Sequence, residues 1–398
     1  MPNISQRGQN IPESPIRKLV PYSDAAKARG IHVYHLNIGQ PDIETPKAFW
    51  DAIHSYPRKV LAYDKSQGTD GYINALVGYY NNAGIKIDRT NVLVTTGGSE
   101  AIVFAMMAIT DPGDNIIVFE PFYTNYNGYA TMADIKLNPV KSSPDDGYHL
   151  PPVELIEAAI DDRTRGIMIC TPNNPTGTVL SRDEMENISD VVKKHDLYLI
   201  SDEVYREFVY EGKHTSALHL DGLEDRAIVM DSISKRFSSC GARIGSLVTK
   251  NSELYSSFLR FAQARLCPPT IGQYGAKAIL EWIDQSYFAE LIGEYKKRRD
   301  IVIEELAKID GAFCKTPEGA FYIMATLPVD DIEDFARWML IDFNRIGKTT
   351  MFAPGPGFYA SKGVGQSEAR FAYVLKEDDL REAMGNIRLG LKEYQKIH

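Results

Sequence analysis

The stretch DSISKRFSSCGARIG, residues 231–245, decides how the rest of this chain is interpreted, and it directly follows an apolar run, AIVM. The apolar run predicts a buried strand, so the residues after it lie at a sheet edge, where ligands commonly bind. Lys235 supplies an amine there, and Arg243 with the hydroxyls of Ser232 and Ser234 is suited to a phosphate. An amine that condenses with an aldehyde beside a phosphate is what pyridoxal phosphate requires. A lysine and an arginine on a solvated loop remain the simpler alternative for this stretch alone.

Length, charge and apolar content exclude several classes of protein. With 398 residues the chain is long enough for two or more structural domains. A formal net charge of −9 argues against a broad nucleic-acid surface and favours small metabolites as partners. The longest apolar run, residues 101–109, is too short to cross a bilayer, so no membrane role is expected.

The cysteines predict neither a metal site nor a disulfide framework. The chain has four of them, far apart and without paired spacing for zinc: Cys170, Cys240, Cys267 and Cys314. No export signal is recognised, and a reducing cytoplasm is therefore the expected location.

Strands and helices alternate through the middle of the chain. A strand, a glycine turn and a helix follow one another from residue 91 to 109, and further strands are predicted at 115–120, 166–170 and 197–200. This alternation predicts an α/β fold whose large domain holds a mostly parallel, doubly wound sheet flanked by helices. The large domain is assigned to residues 46–289. Residues 1–45 and 290–398 are assigned to a smaller α+β domain with an N-terminal arm.

Arg370 lies inside a second apolar strand, ARFAYV, near the carboxyl end of the chain. A buried charge is costly unless it is paired, so we expect either an acidic neighbour or an anionic ligand beside it.

Further polar residues follow the strands at positions suited to a cofactor ring. Asp202, directly after a strand, is able to pair with a protonated pyridine nitrogen, while Tyr205 and Asn174 are able to bond a phenolic oxygen. Lys235 is able to carry a proton between the substrate α-carbon and the cofactor. Each residue alone has an ordinary explanation, as a helix cap, a packing tyrosine or a turn former. Together they favour one site.

At this point the sequence resembles the class I and II aminotransferases, pyridoxal-phosphate enzymes of fold type I. Eight segments carry the resemblance, in the family's order and over nearly the whole chain: NIGQPD (37–42), Tyr63, TTGGSE (95–100), EPFYTNY (120–126), NNPTG (173–177), SDEVYR (201–206), SISK with GARIG (232–245), and Arg370. The resemblance implies a homodimer with shared sites that moves an amino group between an amino acid and a 2-oxo acid. It implies a ping-pong mechanism through a Schiff base on Lys235.

The resemblance also implies a role for each matching position. Asp202 would bind the ring nitrogen, Tyr205 and Asn174 the phenolic oxygen, and Tyr123 would stack on the ring. The phosphate would be held by Gly98, Ser99, Ser232, Ser234, Arg243 and, from a second subunit, Tyr63. The substrate α-carboxylate would be held by Arg370, Asn174 and the backbone of Gly39. In similar enzymes the bond before the proline of NPTG is cis, which predicts a cis Asn174–Pro175 bond.

One departure from the family pattern bears on the substrate. Some aspartate-active relatives carry a lysine after the glycine pair, where this chain has Ser99. Arg17, near the N-terminus, is able to replace that positive charge if the arm folds over the site, and is otherwise a surface arginine. An aspartate-type or broad-range aminotransferase is the leading hypothesis. Another pyridoxal-phosphate reaction, such as a lyase, and a non-catalytic binding protein are the alternatives, and the donor and acceptor stay open.

Overall fold

The computed structural model describes residues 2–397, which form thirteen α-helices and twelve β-strands. The helices are α1 (Gln6–Asn10), α2 (Val20–Ala28), α3 (Lys47–His54), α4 (Asp70–Asn82), α5 (Gly97–Ile109), α6 (Asn125–Ala133), α7 (Val153–Ala158), α8 (Arg182–Lys194), α9 (Ser252–Arg265), α10 (Thr270–Trp282), α11 (Gln285–Leu306), α12 (Ile332–Ile341) and α13 (Glu377–Tyr394). The strands are β1 (His32–His35), β2 (Val92–Thr95), β3 (Asn115–Glu120), β4 (Lys136–Lys141), β5 (Thr164–Cys170), β6 (Tyr198–Asp202), β7 (Ala227–Ser232), β8 (Gly245–Val248), β9 (Tyr322–Thr326), β10 (Lys348–Met351), β11 (Ala353–Pro354) and β12 (Glu368–Ala372).

A seven-stranded sheet forms the centre of the fold, with the strand order β2-β8-β7-β6-β5-β3-β4. Every neighbouring pair is parallel except the two that involve β8, which runs antiparallel to both β2 and β7. The predicted fold class, a mostly parallel sheet in an α/β fold, is therefore confirmed. Because the parallel strands all end at one edge, the loops that follow them are brought together there.

Both faces of this sheet are covered except at the edge strand β4, which explains why the strands inside it are mostly apolar. Successive side chains of a strand point to opposite faces. In β3, Ile116 and Val118 enter a core formed with α5, α6 and α9, whereas Ile117 and Phe119 enter a second core formed with α4, α8 and α10. Helices packed on both sides thus shield the sheet from solvent.

Gly245, at the start of β8, allows a close approach between this strand and the glycine turn that opens α5. A Cβ atom at this position would lie 2.5 Å from the backbone carbon of Gly97 and 2.7 Å from the nitrogen of Gly98. These distances are too short for any side chain, so only glycine keeps the turn pressed against the sheet.

A third core lies around two smaller sheets, a parallel pair β1-β10 and an antiparallel sheet β11-β12-β9. Residues from α2, α11, α12 and α13 complete it. The long helix α11 crosses the predicted boundary at residue 290, and its Tyr287 and Phe288 pack against both this core and a core of the central sheet. The assignment of residues 46–289 to one domain, and of the rest to another, stays a prediction.

Three elements of the central region escaped the sequence analysis, namely α6, β4 and α7. Strand β4 reads KLNPVK, and Pro139 with flanking lysines hides the usual strand pattern. Its position at the end of the sheet explains this composition, because an edge strand needs fewer backbone donors and tolerates proline. Within residues 2–397, none of the helices is at once long and apolar enough to cross a membrane.

Candidate active site

A cavity of about 630 Å³ lies at the carboxyl edge of the central sheet, between that sheet, β12 and the N-terminal arm. Of the fourteen residues predicted for the site, all but Tyr63 line it: Arg17, Gly39, Gly98, Ser99, Tyr123, Asn174, Asp202, Tyr205, Ser232, Ser234, Lys235, Arg243 and Arg370. Residues that are distant in the sequence therefore share one chamber.

Lys235 enters this cavity from the turn that follows β7. Its Nζ donates a hydrogen bond to the Gly39 carbonyl oxygen at 2.7 Å and lies 3.8 Å from Cys240 Sγ. The fully buried side chain of Ile233 anchors the turn below it. The amine is thus held inside the cavity by a backbone oxygen, which leaves it free to react with a carbonyl carbon.

Asp202 ends the neighbouring strand β6 and is only 7% exposed. One carboxyl oxygen accepts from the Tyr126 hydroxyl at 2.8 Å, and the other accepts from the Val204 N–H at 3.3 Å. Burial raises the pKa of Asp202 to about 6, and the hydrogen bond from Tyr126 only partly opposes this. No cation among residues 2–397 forms a salt bridge with this carboxyl group, so its negative charge is left uncompensated there.

Arg370 occupies the middle strand of the small antiparallel sheet and is 1% exposed. Its guanidinium donates to Asn174 Oδ1 at 2.8 Å and to the Asn37 carbonyl oxygen at 2.5 Å, while its Nε has no partner. Burial lowers the pKa of Arg370 from its usual value. The expected acidic neighbour is absent from the described chain, since both acceptors are neutral. The rings of Tyr322 and Phe358 lie 4.5 and 4.9 Å from the guanidinium carbon, and an anionic ligand would compensate the charge further.

Asn174 and Tyr205 lie between these two buried charges. Asn174 Nδ2 donates to the Tyr205 hydroxyl at 3.4 Å, and that hydroxyl lies 2.8 Å from the hydroxyl of Tyr322. Burial holds the pKa of Tyr205 well above its ordinary value, so the phenol keeps its proton. It is therefore a hydrogen-bond donor that faces the cavity.

A polar cup suited to an anion forms beside the first turn of α5. The hydroxyls of Ser232 and Ser234 lie 2.7 Å apart. The Arg243 guanidinium packs against Gly97, within 2.4 Å of where a Cβ atom would be. Ser99 Oγ accepts from the Tyr129 hydroxyl at 2.8 Å. Helix N–H groups, hydroxyls and a guanidinium together favour a phosphate.

Two further walls of the cavity are formed by the aromatic ring of Tyr123 and by the N-terminal arm. Tyr123 stands edge-on to Tyr126, with ring centroids 5.5 Å apart, and its hydroxyl accepts from Asn125 Nδ2 at 2.8 Å. The N-terminal arm lines the cavity with Ser14, Ile16 and Arg17, and the Arg17 side chain is exposed. The next residue, Lys18, forms a salt bridge with Glu333 of α12, which ties the arm down.

Tyr63 lies apart from the cavity of its own chain. Its side chain is 80% exposed, and Val60 and Leu61 in the same segment are 72% and 63% exposed. This position agrees with a role toward another subunit, which stays a prediction.

Sequence reasoning missed Tyr126 and Tyr322, which contact the predicted residues directly. Tyr126 lies three residues beyond Tyr123 in the quoted segment EPFYTNY, but only the placement of α6 against β6 shows its contact with Asp202. Tyr322 comes from β9, which is far from Tyr205 in sequence. No local pattern could have identified either contact.

The prediction of a cis Asn174–Pro175 bond is wrong. In this loop the cis peptide is Thr171–Pro172, at the end of β5, and a second one is Glu120–Pro121, at the end of β3. The proline of NPTG instead lies inside a turn closed by the Gly177 N–H and the Asn173 carbonyl oxygen at 3.0 Å.

Comparisons with known proteins agree with this geometry. The family described as "Aminotransferase class I and II" matches residues 31–385. The aspartate aminotransferase of Sulfurisphaera tokodaii is 31% identical over 92% of this chain and 93% of its own. The solved alanine aminotransferase of Pyrococcus furiosus superposes with a TM-score of 0.90 at 29% identity, covering 98% of this chain and all of its own. The solved aspartate aminotransferase of Thermotoga maritima superposes with a TM-score of 0.89 at 28% identity, covering 98% of this chain and all of its own.

The fold and the lysine-bearing cavity thus define an enzyme of the fold type I, pyridoxal-phosphate class. The chain belongs to the class I and II aminotransferases. It is an aminotransferase, and neither a lyase nor a non-catalytic binding protein is favoured.

The charge on Asp202 should limit the stability of the ligand-free protein above pH 6. The folded-state pKa of Asp202, about 6, exceeds the usual value of 3.8. The contribution of this group to the free energy of unfolding is therefore fully present below pH 4 and is lost as the pH rises through 6. Asp202→Asn removes the charge but loses part of the bonding to Tyr126 and Val204. We expect this substitution to raise the free energy of unfolding at pH 7.5 by on the order of 2 kcal/mol. Below pH 4, where the carboxyl is protonated in both states, we expect no such gain. Urea unfolding of the wild type and the variant between pH 4 and pH 7.5 measures both free energies.

Asp231, on the adjacent strand, is the matched control. It is also buried, but Arg236 donates to both of its oxygens at 2.9 Å. Asp231→Asn leaves a buried guanidinium without its partner and should cost about 3–5 kcal/mol at pH 7.5. If both substitutions destabilise the protein alike, the carboxyl of Asp202 is not the uncompensated charge described here.

Proposed function

We propose that this chain binds pyridoxal 5'-phosphate in the cavity and transfers amino groups between L-amino acids and 2-oxo acids by a ping-pong mechanism. One observation carries the proposal: Asp202 and Arg370 are buried in the same cavity without an ion-pair partner in the described chain. A protonated ring nitrogen is a suitable partner for the first, and a substrate carboxylate for the second. The residues present therefore fit both the cofactor and an amino acid.

The phosphate would be held by the polar cup. Its members, which carry no negative charge, are Gly98, Ser99, Ser232, Ser234 and Arg243. Tyr123 is the aromatic residue placed to stack on the ring. Tyr205 and Asn174 would donate hydrogen bonds to the phenolic oxygen, since Tyr205 keeps its proton at neutral pH.

When bound, pyridoxal phosphate supplies an aldehyde that takes the amino group and a ring that withdraws electrons from the substrate α-carbon. Asp202 would hold the proton on the ring nitrogen, which keeps the ring electron-withdrawing. Lys235 Nζ would attach the aldehyde covalently. Once the incoming amino group has displaced it, the same nitrogen would carry a proton to and from the α-carbon.

Arg370 would bind the substrate α-carboxylate. Its fork of N–H groups matches two carboxylate oxygens, and the unpartnered Nε provides a further donor. Asn174 already orients the guanidinium through its Oδ1 atom, and Gly39 lines the same part of the cavity. Positioning the carboxylate in this way fixes the α-carbon relative to Lys235.

An aspartate-type or broad-range specificity is proposed for the side chain of the donor. The most similar relatives include aspartate aminotransferases, and a close structural neighbour is named an alanine aminotransferase. Ser99 cannot supply a second positive charge, whereas Arg17 lines the cavity on the anchored arm. Arg17 would therefore meet the side-chain carboxylate of a dicarboxylic donor.

The active unit is proposed to be a homodimer in which Tyr63 completes the partner's phosphate site. The exposed apolar side chains of Val60, Leu61 and Tyr63 form a surface that a second subunit would cover. The location is proposed to be cytoplasmic, a view that rests on four cysteines that are free in the structure.

Lys235→Ala should abolish transamination while the protein still binds cofactor, because no other amine of the cavity takes its covalent role. The wild type, mixed with each of twenty amino acids, should lose its visible absorbance with true donors only. Lys194→Ala, which removes an exposed lysine on α8, is the control and should match the wild type. A colourless protein that cannot be reconstituted with pyridoxal phosphate would refute the proposed function.

Mixing chains that each carry one damaging substitution tests whether the sites are shared. Random dimers of Tyr63→Phe and Lys235→Ala chains include mixed dimers with one intact site, so about a quarter of wild-type activity should return. The control mixes Lys235→Ala with Asp202→Asn, whose changes fall in the site of the same subunit. It should recover nothing. Equal results from the two mixtures would place Tyr63 in its own subunit's packing.

Arg17→Ala should raise KM for aspartate, glutamate or aminoadipate by roughly tenfold and leave neutral donors nearly unchanged. A partly solvated charge contact of about 1.4 kcal/mol has this effect. Lys18→Ala, which loosens the arm without removing Arg17, is the companion variant. If Arg17→Ala and Lys18→Ala weaken charged and neutral donors equally, Arg17 only positions the arm.

A further inference from the structure

Tyr322 is a buried tyrosine at the start of β9 whose hydroxyl reaches the cavity. That hydroxyl lies 2.8 Å from the hydroxyl of Tyr205, although the two residues are separated by more than a hundred positions. A buried hydroxyl this close to Tyr205 affects the direction in which the Tyr205 phenol donates its own hydrogen bond.

A glycine creates the space that this hydroxyl occupies. A Cβ atom on Gly39 would lie 1.8 Å from the Tyr322 oxygen and 2.5 Å from the ring carbon that carries it. The carbonyl oxygen of the same glycine accepts from Lys235 Nζ at 2.7 Å. The absence of a side chain at residue 39 therefore admits the tyrosine hydroxyl, and the backbone of the same residue holds the lysine amine.

The ring of Tyr322 makes a second contact, with the proposed carboxylate-binding residue. The Arg370 guanidinium carbon lies 4.5 Å from the ring centroid, within the range of a cation–π interaction. Arg370 also donates to Asn174 Oδ1 at 2.8 Å, and Asn174 Nδ2 donates to Tyr205 at 3.4 Å. The four side chains thus form a closed circuit of contacts.

The circuit determines where the proton of Tyr205 points. A phenol has one proton to donate and two lone pairs that accept. Asn174 Nδ2 uses one lone pair, because an amide nitrogen only donates. If Tyr322 donates to the other, the proton of Tyr205 is left for an acceptor in the cavity, and this donor is strengthened by the bonds it accepts.

We propose that Tyr322 is a positioning residue with two separate parts: its hydroxyl directs the proton of Tyr205 into the cavity, and its ring supports Arg370. This inference rests on the proposed function, since Tyr205 needs an acceptor on the cofactor. Tyr322 would thus connect Tyr205, proposed to bond the cofactor, with Arg370, proposed to bind the substrate carboxylate.

Tyr322→Phe removes the hydroxyl and keeps the ring. The visible absorbance of the cofactor-loaded protein changes when the nitrogen of Lys235 loses its proton. A hydrogen bond from Tyr205 to the phenolic oxygen favours that loss, because it draws electron density from the ring system. Weakening this bond should raise the pKa of the absorbance change by about half a unit, and KM for the donor should stay within about twofold.

Tyr322→Leu removes the ring as well, and should in addition raise KM by about threefold through the lost contact with Arg370. Tyr373→Phe is the control. It removes a hydroxyl from another buried tyrosine pair of the same core, 3.3 Å from the hydroxyl of Tyr210 and outside the cavity lining. Its absorbance titration and KM should equal those of the wild type.

A double substitution tests the direction of the effect. In a Tyr205→Phe background the hydroxyl of Tyr322 has lost its acceptor, so adding Tyr322→Phe should shift the absorbance pKa no further. A shift of the same size in both backgrounds overturns the inference, and so does a folded Tyr322→Phe protein that titrates like the wild type. Failure of the proposed function is distinguishable, because then the wild type itself shows no visible absorbance with pyridoxal phosphate.

Discussion

Asp202 and Arg370, two buried charges with no ion-pair partner among residues 2–397, are the constraint on which the rest of the site depends. Taking either charge out of water is costly, and neutral hydrogen bonds compensate only part of that cost. The raised pKa of Asp202 is the visible consequence of its burial. A folded chain that keeps both groups in one cavity is arranged for a ligand with a cationic atom and an anionic group, because such a ligand offsets both costs.

The contrast between Asp202 and Asp231 shows how neighbouring strands serve different purposes. Both carboxyls are buried near the ends of adjacent strands, β6 and β7. Arg236 and the Tyr80 hydroxyl satisfy Asp231, so that residue stabilises the turn on which Lys235 stands. Asp202 receives only neutral donors. The paired charge supports the structure, and the unpaired one remains available for chemistry.

Two of the residues proposed for the substrate carboxylate come from a different part of the fold than those proposed for the cofactor chemistry. Lys235 and Asp202 belong to the central sheet, whereas Arg370 and Gly39 come from the smaller sheets and the segment after β1. Relatives named for aspartate and for alanine share this overall fold. Substrate preference is therefore expected to vary in the surrounding walls, such as the arm that carries Arg17, while the chemistry stays with the central sheet.

The sequence alone determined the α/β class, the mostly parallel sheet and the identity of the residues around Lys235, because apolar runs and strand-end motifs are local signals. It did not reveal strand β4, whose proline and lysines fit an edge position that exists only once the sheet is assembled. It also did not reveal Tyr322, because a contact between β9 and the loop after β6 depends on how two sheets pack. Tertiary structure alone decided which charges were left without partners, since burial and pairing are properties of the assembled chain.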